Sequence, residues 1–303
     1  MYQQPIFSRH NRECFFKYLS AESAHRVISS KSLKWSSPLI FNDPFDHQTG
    51  FQIGFDGEEF AQGVMAAMER IIFDSNVVIE KPTRFAMGAL SISDSARKQG
   101  REKLRAFFEH AKREMADNLD SHINAMHESL VGSLCRSRVL SVTEENDNVV
   151  MWSHYADQHK GVVLKLRCIP EIDNSLLLAQ KVEYSRKFVE FPPLQEFLLH
   201  LTGEREIDMA KLAYQIAFRK HENWSYENEW RVCIPLQEGE PDGDGFSIYV
   251  ERPEVFDAAY LGCRMEKSEI EIFVEEIKKY LPHIKIYRTQ KSDRSFALNF
   301  HEI

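Results

Sequence analysis

Residues 138–166 read RVLSVTEENDNVVMWSHYADQHKGVVLKL, and the fold class turns on them. Arg138 to Thr143 and Val162 to Leu166 are short apolar, β-branched runs of strand length. Between them Asn146 or Asp147 is placed to cap a helix over Val149 to His159, which Gly161 ends. Strand, helix and strand in that order predict an α/β fold of the α+β kind, with a mixed-sheet core and flanking helices.

Toward the N-terminus the alternation continues. Cys14 to Leu19 is β-prone, and Ser20 can cap a helix that carries Ala24, Val27 and Ile28 on one face. Lys34 to Ser37 predicts a short strand ended by Pro38. Phe41-Asn42-Asp43-Pro44-Phe45-Asp46 then reads as a loop, because proline disfavours helix at Asp43 and Asn42 can fold into an Asx turn. Its two phenylalanines are expected to staple the loop down. From about Asp56 to Cys135 the character changes. Helical stretches at Glu58 to Phe73 and Arg101 to Leu134 flank an irregular region from Pro82 to Gly100, and Leu104, Phe107, Phe108, Ala111 and Met115 recur at helical spacing. Residues 56–135 are therefore expected to form a helical insertion within a single α/β domain spanning 1–303.

Toward the C-terminus a strand is expected near Val182 to Tyr184, then helix from Leu194 to Phe218 broken near Gly203. A strand over Glu229 to Ile234 leads into a Gly/Asp-rich turn from Gly239 to Gly245. Ala258 to Leu261, Glu269 to Tyr280 and Ile284 to Tyr287 repeat strand, helix, strand, with a last strand near Phe296 to Phe300.

Composition narrows the function classes. The net charge of −8 gives no global attraction to nucleic acid or anionic membrane, although Lys17, Arg136 and Arg138 could share a local basic patch. Met1 to Pro5 lacks the basic start and apolar run of a signal peptide, and no stretch approaches the roughly 20 apolar residues of a membrane span, so a cytoplasmic protein is expected. The five cysteines include no C-x-x-C pair, and His154 and His159 lie five apart rather than four, so no metal site is expected. G-x-G-x-x-G, P-loop, H-E-x-x-H and G-x-S-x-G signatures are absent.

Three clusters combine hydrogen-bonding groups with aromatics, as small-ligand pockets do. The first joins Lys17 and Tyr18 with Ser36 and the Asn42-Asp43-Pro44 turn. The second runs from Met151 to Gly161, with His154 expected to share the face of Met151 and Tyr155 beside it. In the third, Trp224 to Arg231, strand periodicity points Glu227, Glu229 and Arg231 one way and Trp230, Val232 and Ile234 toward the core. That charged face is either a solvated strand face or the wall of a cleft, where a carboxylate accepts from a ligand hydroxyl and Arg231 binds a carboxylate or phosphate.

Taken with Phe16-Lys17-Tyr18, Trp35 to Pro38 and Phe41 to Asp46, the segments MWSHYADQHKG and WSYENEWR resemble the bacterial family known as domain of unknown function 2971. That resemblance carries no established activity. A second similarity is to ADP-ribosyltransferases, whose strand-borne pattern runs from a basic or aromatic residue through a Ser/Thr-rich strand to a glutamate. Tyr18, then Ser141-Val142-Thr143, then Glu227-Asn228-Glu229 occur here in that order. The likeness implies NAD as substrate, Glu229 as the catalytic carboxylate and Glu227 as the group that positions or deprotonates the acceptor, a protein or nucleic acid. It further implies His154 as a second base, Tyr18 and Tyr155 as stacking rings, and Lys17 or Arg231 at the pyrophosphate. The expectation is an NAD-consuming transferase or glycohydrolase, of the kind used as a toxin or antiphage effector. A non-catalytic ligand-sensing or protein-interaction module stays open beside it, as does a nuclease, and the sequence leaves an oligomer or partner protein undecided.

Overall fold

The computed structural model describes residues 9–240, 243 and 245–303. Met1 to Pro5, and positions 241, 242 and 244 of the expected Gly239 to Gly245 turn, lie outside the described residues.

In chain order the first elements are β1 (Cys14–Leu19), α1 (Ala21–Ser30), β2 (Ser32–Ser36), β3 (Phe51–Gln52), α2 (Gly57–Phe73), α3 (Arg84–Gln99), α4 (Arg101–Cys135) and β4 (Ser137–Thr143). There follow α5 (Val149–Tyr155), β5 (Val162–Arg167), β6 (Gln180–Lys181), β7 (Glu183–Ser185), β8 (Val189–Glu190), α6 (Leu194–Thr202) and α7 (Met209–Ala217). Last come β9 (Arg219–His221), β10 (Glu229–Pro235), β11 (Phe246–Val250), β12 (Phe256–Leu261), α8 (Lys267–Tyr280), β13 (Lys285–Lys291) and β14 (Leu298–Glu302). The fold is α/β, a mixed sheet with flanking helices, as the sequence predicts.

The chain divides into two compact units, one of the residues up to 48 with 134–187 and 217–303, the other of 49–133 with 188–216. In the first unit β10 runs antiparallel along one edge of β4, from Glu229↔Thr143 to Pro235↔Ser137. The opposite edge of β4 is shared: β1 meets it at Phe16↔Thr143 and β2 at Ser36↔Val139. The sheet therefore forks beside Ser141. Beyond β1 it continues through β5 and β12 to β13 and β14. Because β1 is antiparallel to both neighbours, β4 and β5 run parallel, and α5 lies in the connection between them.

Alternation along the strands supplies two apolar faces. One buries Phe15, Leu140, Val142, Leu164 and Val232 with Ala24, Val27 and Ile28 of α1 and Phe273 and Ile277 of α8. The other buries Tyr18, Met151, Trp152, Val163 and Tyr260. Ser20 caps α1 by accepting the Ser23 amide hydrogen at 3.2 Å, as its place before the helix predicts.

Several local expectations change. The cap of α5 is Asn148, whose Oδ1 accepts from Val150 and Met151, and the helix stops at Tyr155 rather than His159. Asp157, Gln158 and His159 take positive φ angles of 47°, 54° and 69°, turning the chain beneath β1. A Cβ on Gly161 would stand 2.1 Å from the Leu19 carbonyl oxygen, so glycine is required by close approach there. In the 41–46 loop the Asx turn belongs to Asp43, whose Oδ1 accepts the Phe45 amide hydrogen at 2.9 Å, and the Phe45 side chain is largely exposed. Phe246 to Val250 adds the unanticipated β11, antiparallel to β2.

In the second unit, the region expected to be irregular before Gly100 is α3, capped by Thr83. Its buried residues are Ala86, Ala89 and Ala96, whose low hydropathy conceals the helical period. They pack with Ile71, Ile72, Leu104 and Phe108, whereas Phe107 faces out. The unit takes in 188–216 as well as the expected insertion because β3 pairs in parallel with β8, Arg70 pairs with Glu204, and Thr83 donates to the Leu201 carbonyl.

Candidate functional site

The fork in the first unit opens into a cavity of about 160 Å³. Phe16, Lys17 and Tyr18 reach it from β1, Ser141 to Thr143 from β4, and Glu229 and Arg231 from β10. Met151 and Tyr155 come from α5, Phe41, Asn42 and Asp46 from the loop after β2, and Lys220 and Glu227 from β9 and the turn after it.

At the centre is Arg231, which is fully buried. Its Nε donates to Glu229 Oε1 at 2.7 Å and its Nη2 to Glu229 Oε2 at 2.9 Å. Nη2 also donates to Asp46 Oδ2 at 2.5 Å, and Nη1 to Asp46 Oδ1 at 2.8 Å and the Ala217 carbonyl at 3.0 Å. These contacts use all five guanidinium hydrogens. Arg231 thus clamps two carboxylates inside the protein instead of presenting a fork to a pyrophosphate.

Lys220 closes the network. Its Nζ donates to Glu227 Oε2 at 2.6 Å and Glu229 Oε2 at 3.3 Å, and it lies 4.6 Å from the centre of the Trp224 ring. The two acids consequently differ. Burial favours the neutral form of each, but Arg231 and Lys220 outweigh it at Glu229 and hold that carboxyl down at about 2. At Glu227 burial and the neighbouring Glu229 charge prevail over Lys220 and Tyr155, so its carboxyl is raised. Tyr155 donates to Glu227 Oε1 at 2.5 Å, and Thr143 Oγ1 holds the Glu227 backbone carbonyl at 2.6 Å. Environments that push two carboxyls apart in this way suit one for a permanent charge and the other for proton transfer.

Of the residues expected from sequence, Lys17, Tyr18, Asn42, Ser141, Thr143, Tyr155, Glu227, Glu229 and Arg231 line the cavity. Ser36 pairs within the sheet with Phe246 and Val139, and Asp43 is buried in its own turn, so neither is in the lining. His154 is exposed and outside the lining. At about 100° per residue a position four on, Tyr155, follows Met151 more closely than one three on. The strand face of Glu229 and Arg231 is buried rather than solvated, while Glu227 sits in the turn before the strand and reaches the same cluster. Arg138 is buried with Nε donating to Ser247 Oγ at 3.0 Å, so it forms no exposed basic patch with Lys17. Asp46 and Lys220 join the cluster without any motif in the sequence that marks them for it. Both are partners across the fold, and the signal available was that an arginine and two glutamates meeting on one buried face require further counter-charges.

Residues 151–232 match the family model described as protein of unknown function (DUF2971). The DUF2971 match includes Met151, Tyr155, Lys220, Glu227, Glu229 and Arg231, the α5 and carboxylate side of the cavity. The β1, β4 and loop side lies outside the matched span. Comparison with curated proteins gives no match, and comparison with solved structures gives none. No helix among the described residues is long and apolar enough to cross a membrane.

Proposed function

We propose that the cavity is the active site of an NAD-consuming, ADP-ribosyltransferase-like protein that detaches nicotinamide. One observation carries the reading: Tyr18, Thr143 and Glu229, from three separate strands, line a single cavity beside a buried acid pair. Glu229, held ionised by Arg231, supplies a fixed anion for an oxocarbenium-like centre. Glu227, with the raised carboxyl, takes the acceptor's proton, and Tyr155 orients it. By liquid volume the cavity holds about five waters, so it admits one ring of the dinucleotide and leaves the rest outside. The acceptor is water, a protein or a nucleic acid, and such turnover would suit a bacterial toxin or antiphage effector.

The full engagement of Arg231 and the double use of Glu229 favour a second reading, a pocket that senses a ligand without reacting. Melting with and without NAD, together with an assay of released nicotinamide, separates the two. NAD at 100 times its dissociation constant should add about 2.7 kcal/mol of stability, and release should vanish in folded Glu227→Gln protein. A melting shift without release would favour the sensor, and neither shift nor release would remove NAD from both readings.

A further inference from the structure

Lys17 stands on β1 where that strand parts from β4. Its Nζ donates to the Ser141 carbonyl at 2.6 Å, and among the described residues it makes no ion pair. It is partly buried and lines the cavity that Glu227 and Tyr155 also line. Phe16, Tyr18, Phe41 and Met151 add apolar side chains to its lining.

We infer that Lys17 is a carbonyl-reactive amine and that the cavity captures a small aldehyde or ketone as an imine on its Nζ. The neutral amine attacks the carbonyl carbon, the C–N bond forms as the C=O π bond breaks, and one of the two nitrogen protons passes to the carbonyl oxygen. The carbinolamine then loses that oxygen as water, with a proton from the Glu227 carboxyl, and the proton shed by nitrogen returns to Glu227. Aldehyde plus amine gives imine plus water, with no oxidant or reductant required. Two features meet the chemical needs. Burial is the main cause that lowers the Lys17 ammonium to about 8, against the opposing charge of Glu229, so an appreciable share of the amine is neutral near physiological pH. Glu227, with its raised carboxyl, is the proton donor that dehydration calls for. This activity needs no NAD and goes beyond the reading above.

The test treats the full chain with glycolaldehyde and sodium cyanoborohydride, which reduces an imine to a stable amine, and maps the labelled lysines by peptide mass spectrometry. Lys17 should react about tenfold or more faster than the exposed Lys34 and Lys187 at pH 8, because an ordinary lysine there is almost wholly protonated. Its rate should rise with a midpoint near 8, and Lys17→Arg should lose the fast label. Labelling of Lys17 no faster than Lys34 in wild-type protein overturns the proposal, whatever the NAD experiment shows. Glu227→Gln should slow Lys17 and leave Lys34 unchanged, and an unchanged Lys17 rate in that folded variant overturns the role of the acid.

Discussion

Arg231 and Glu229, two residues apart on β10, are joined by paired hydrogen bonds of 2.7 and 2.9 Å, both side chains buried. A strand places alternate residues on one face, so the pair is preset by the backbone and Asp46 completes it from the loop after β2. Replacing Glu229 with Gln removes the counter-charge of a buried guanidinium. The expected loss is about 3 to 5 kcal/mol of unfolding free energy, read by urea denaturation. A loss below about 1 kcal/mol would mean that the cluster does not depend on this charge. Activity measured on Glu229→Gln therefore has to be normalised to the folded fraction.

Acid should weaken the first unit through the same cluster. Burial opposes the charged forms, but Arg231 with His47 at Asp46, and Arg231 with Lys220 at Glu229, outweighs it, so their folded carboxyls titrate below the unfolded ones. A depressed carboxyl contributes stability that is present above its unfolded value, near 4.5 for Glu229, and lost as pH falls through the folded value of about 2. Glu227, raised, acts in the opposite sense above its own unfolded value. Stability measured from pH 5 down to about 2 should fall steeply in wild-type protein, and Arg231→Met should flatten that slope.

His25 sets a second dependence of opposite sign. Its Nδ1 lies 2.6 Å from Glu276 and its Nε2 2.8 Å from Glu269, with Phe273 stacked at 3.9 Å, tying α1 to α8. Burial lowers its pKa, but the two glutamates outweigh burial and raise it. The stabilisation is complete below the unfolded value, about 6.5, and disappears as pH rises through the folded value. His25→Gln should abolish this alkaline loss in melting curves taken across neutral pH: the variant lacks, by about 1 kcal/mol, the stabilisation that wild-type protein has below about 6.5, and the two should converge as pH rises.

Gly161→Ala should be among the most damaging small substitutions. The added methyl meets the Leu19 carbonyl oxygen at 2.1 Å and the Ala156 backbone at 2.9 Å, atoms that cannot swing aside. A loss of about 3 kcal/mol or more is expected, whereas Gly88→Ala, with open space around it, should be neutral or stabilising. Equal melting temperatures for Gly161→Ala and wild type would contradict the close approach of this turn to β1.

What sequence discloses follows the range of the interaction. β1 and α1 are readable because Ser20 and the Ala24, Val27, Ile28 stripe act within a few residues. α3 is not, since alanine carries its buried face, and α5 stops short of His159 because Asp157, Gln158 and His159 take positive φ without a glycine to announce the turn. The site shows the same division. Glu229 and Arg231 share a face by strand period, but the bonds from Arg231 to Asp46 and from Tyr155 to Glu227 depend on which elements the sheet brings together. His154 is a reactive residue type, yet one residue along the same helix decides between solvent and cavity.

The fork at β4 divides the cavity into walls of different kinds. At Ser141 the group that Lys17 holds is a peptide carbonyl, which every amino acid at that position would supply. The facing wall, with Tyr155, Met151 and Phe41, is made of side chains and changes with each substitution. Ligand preference can therefore be rewritten from the α5 side, whereas the contact at position 141 stays the same as long as the backbone keeps its course.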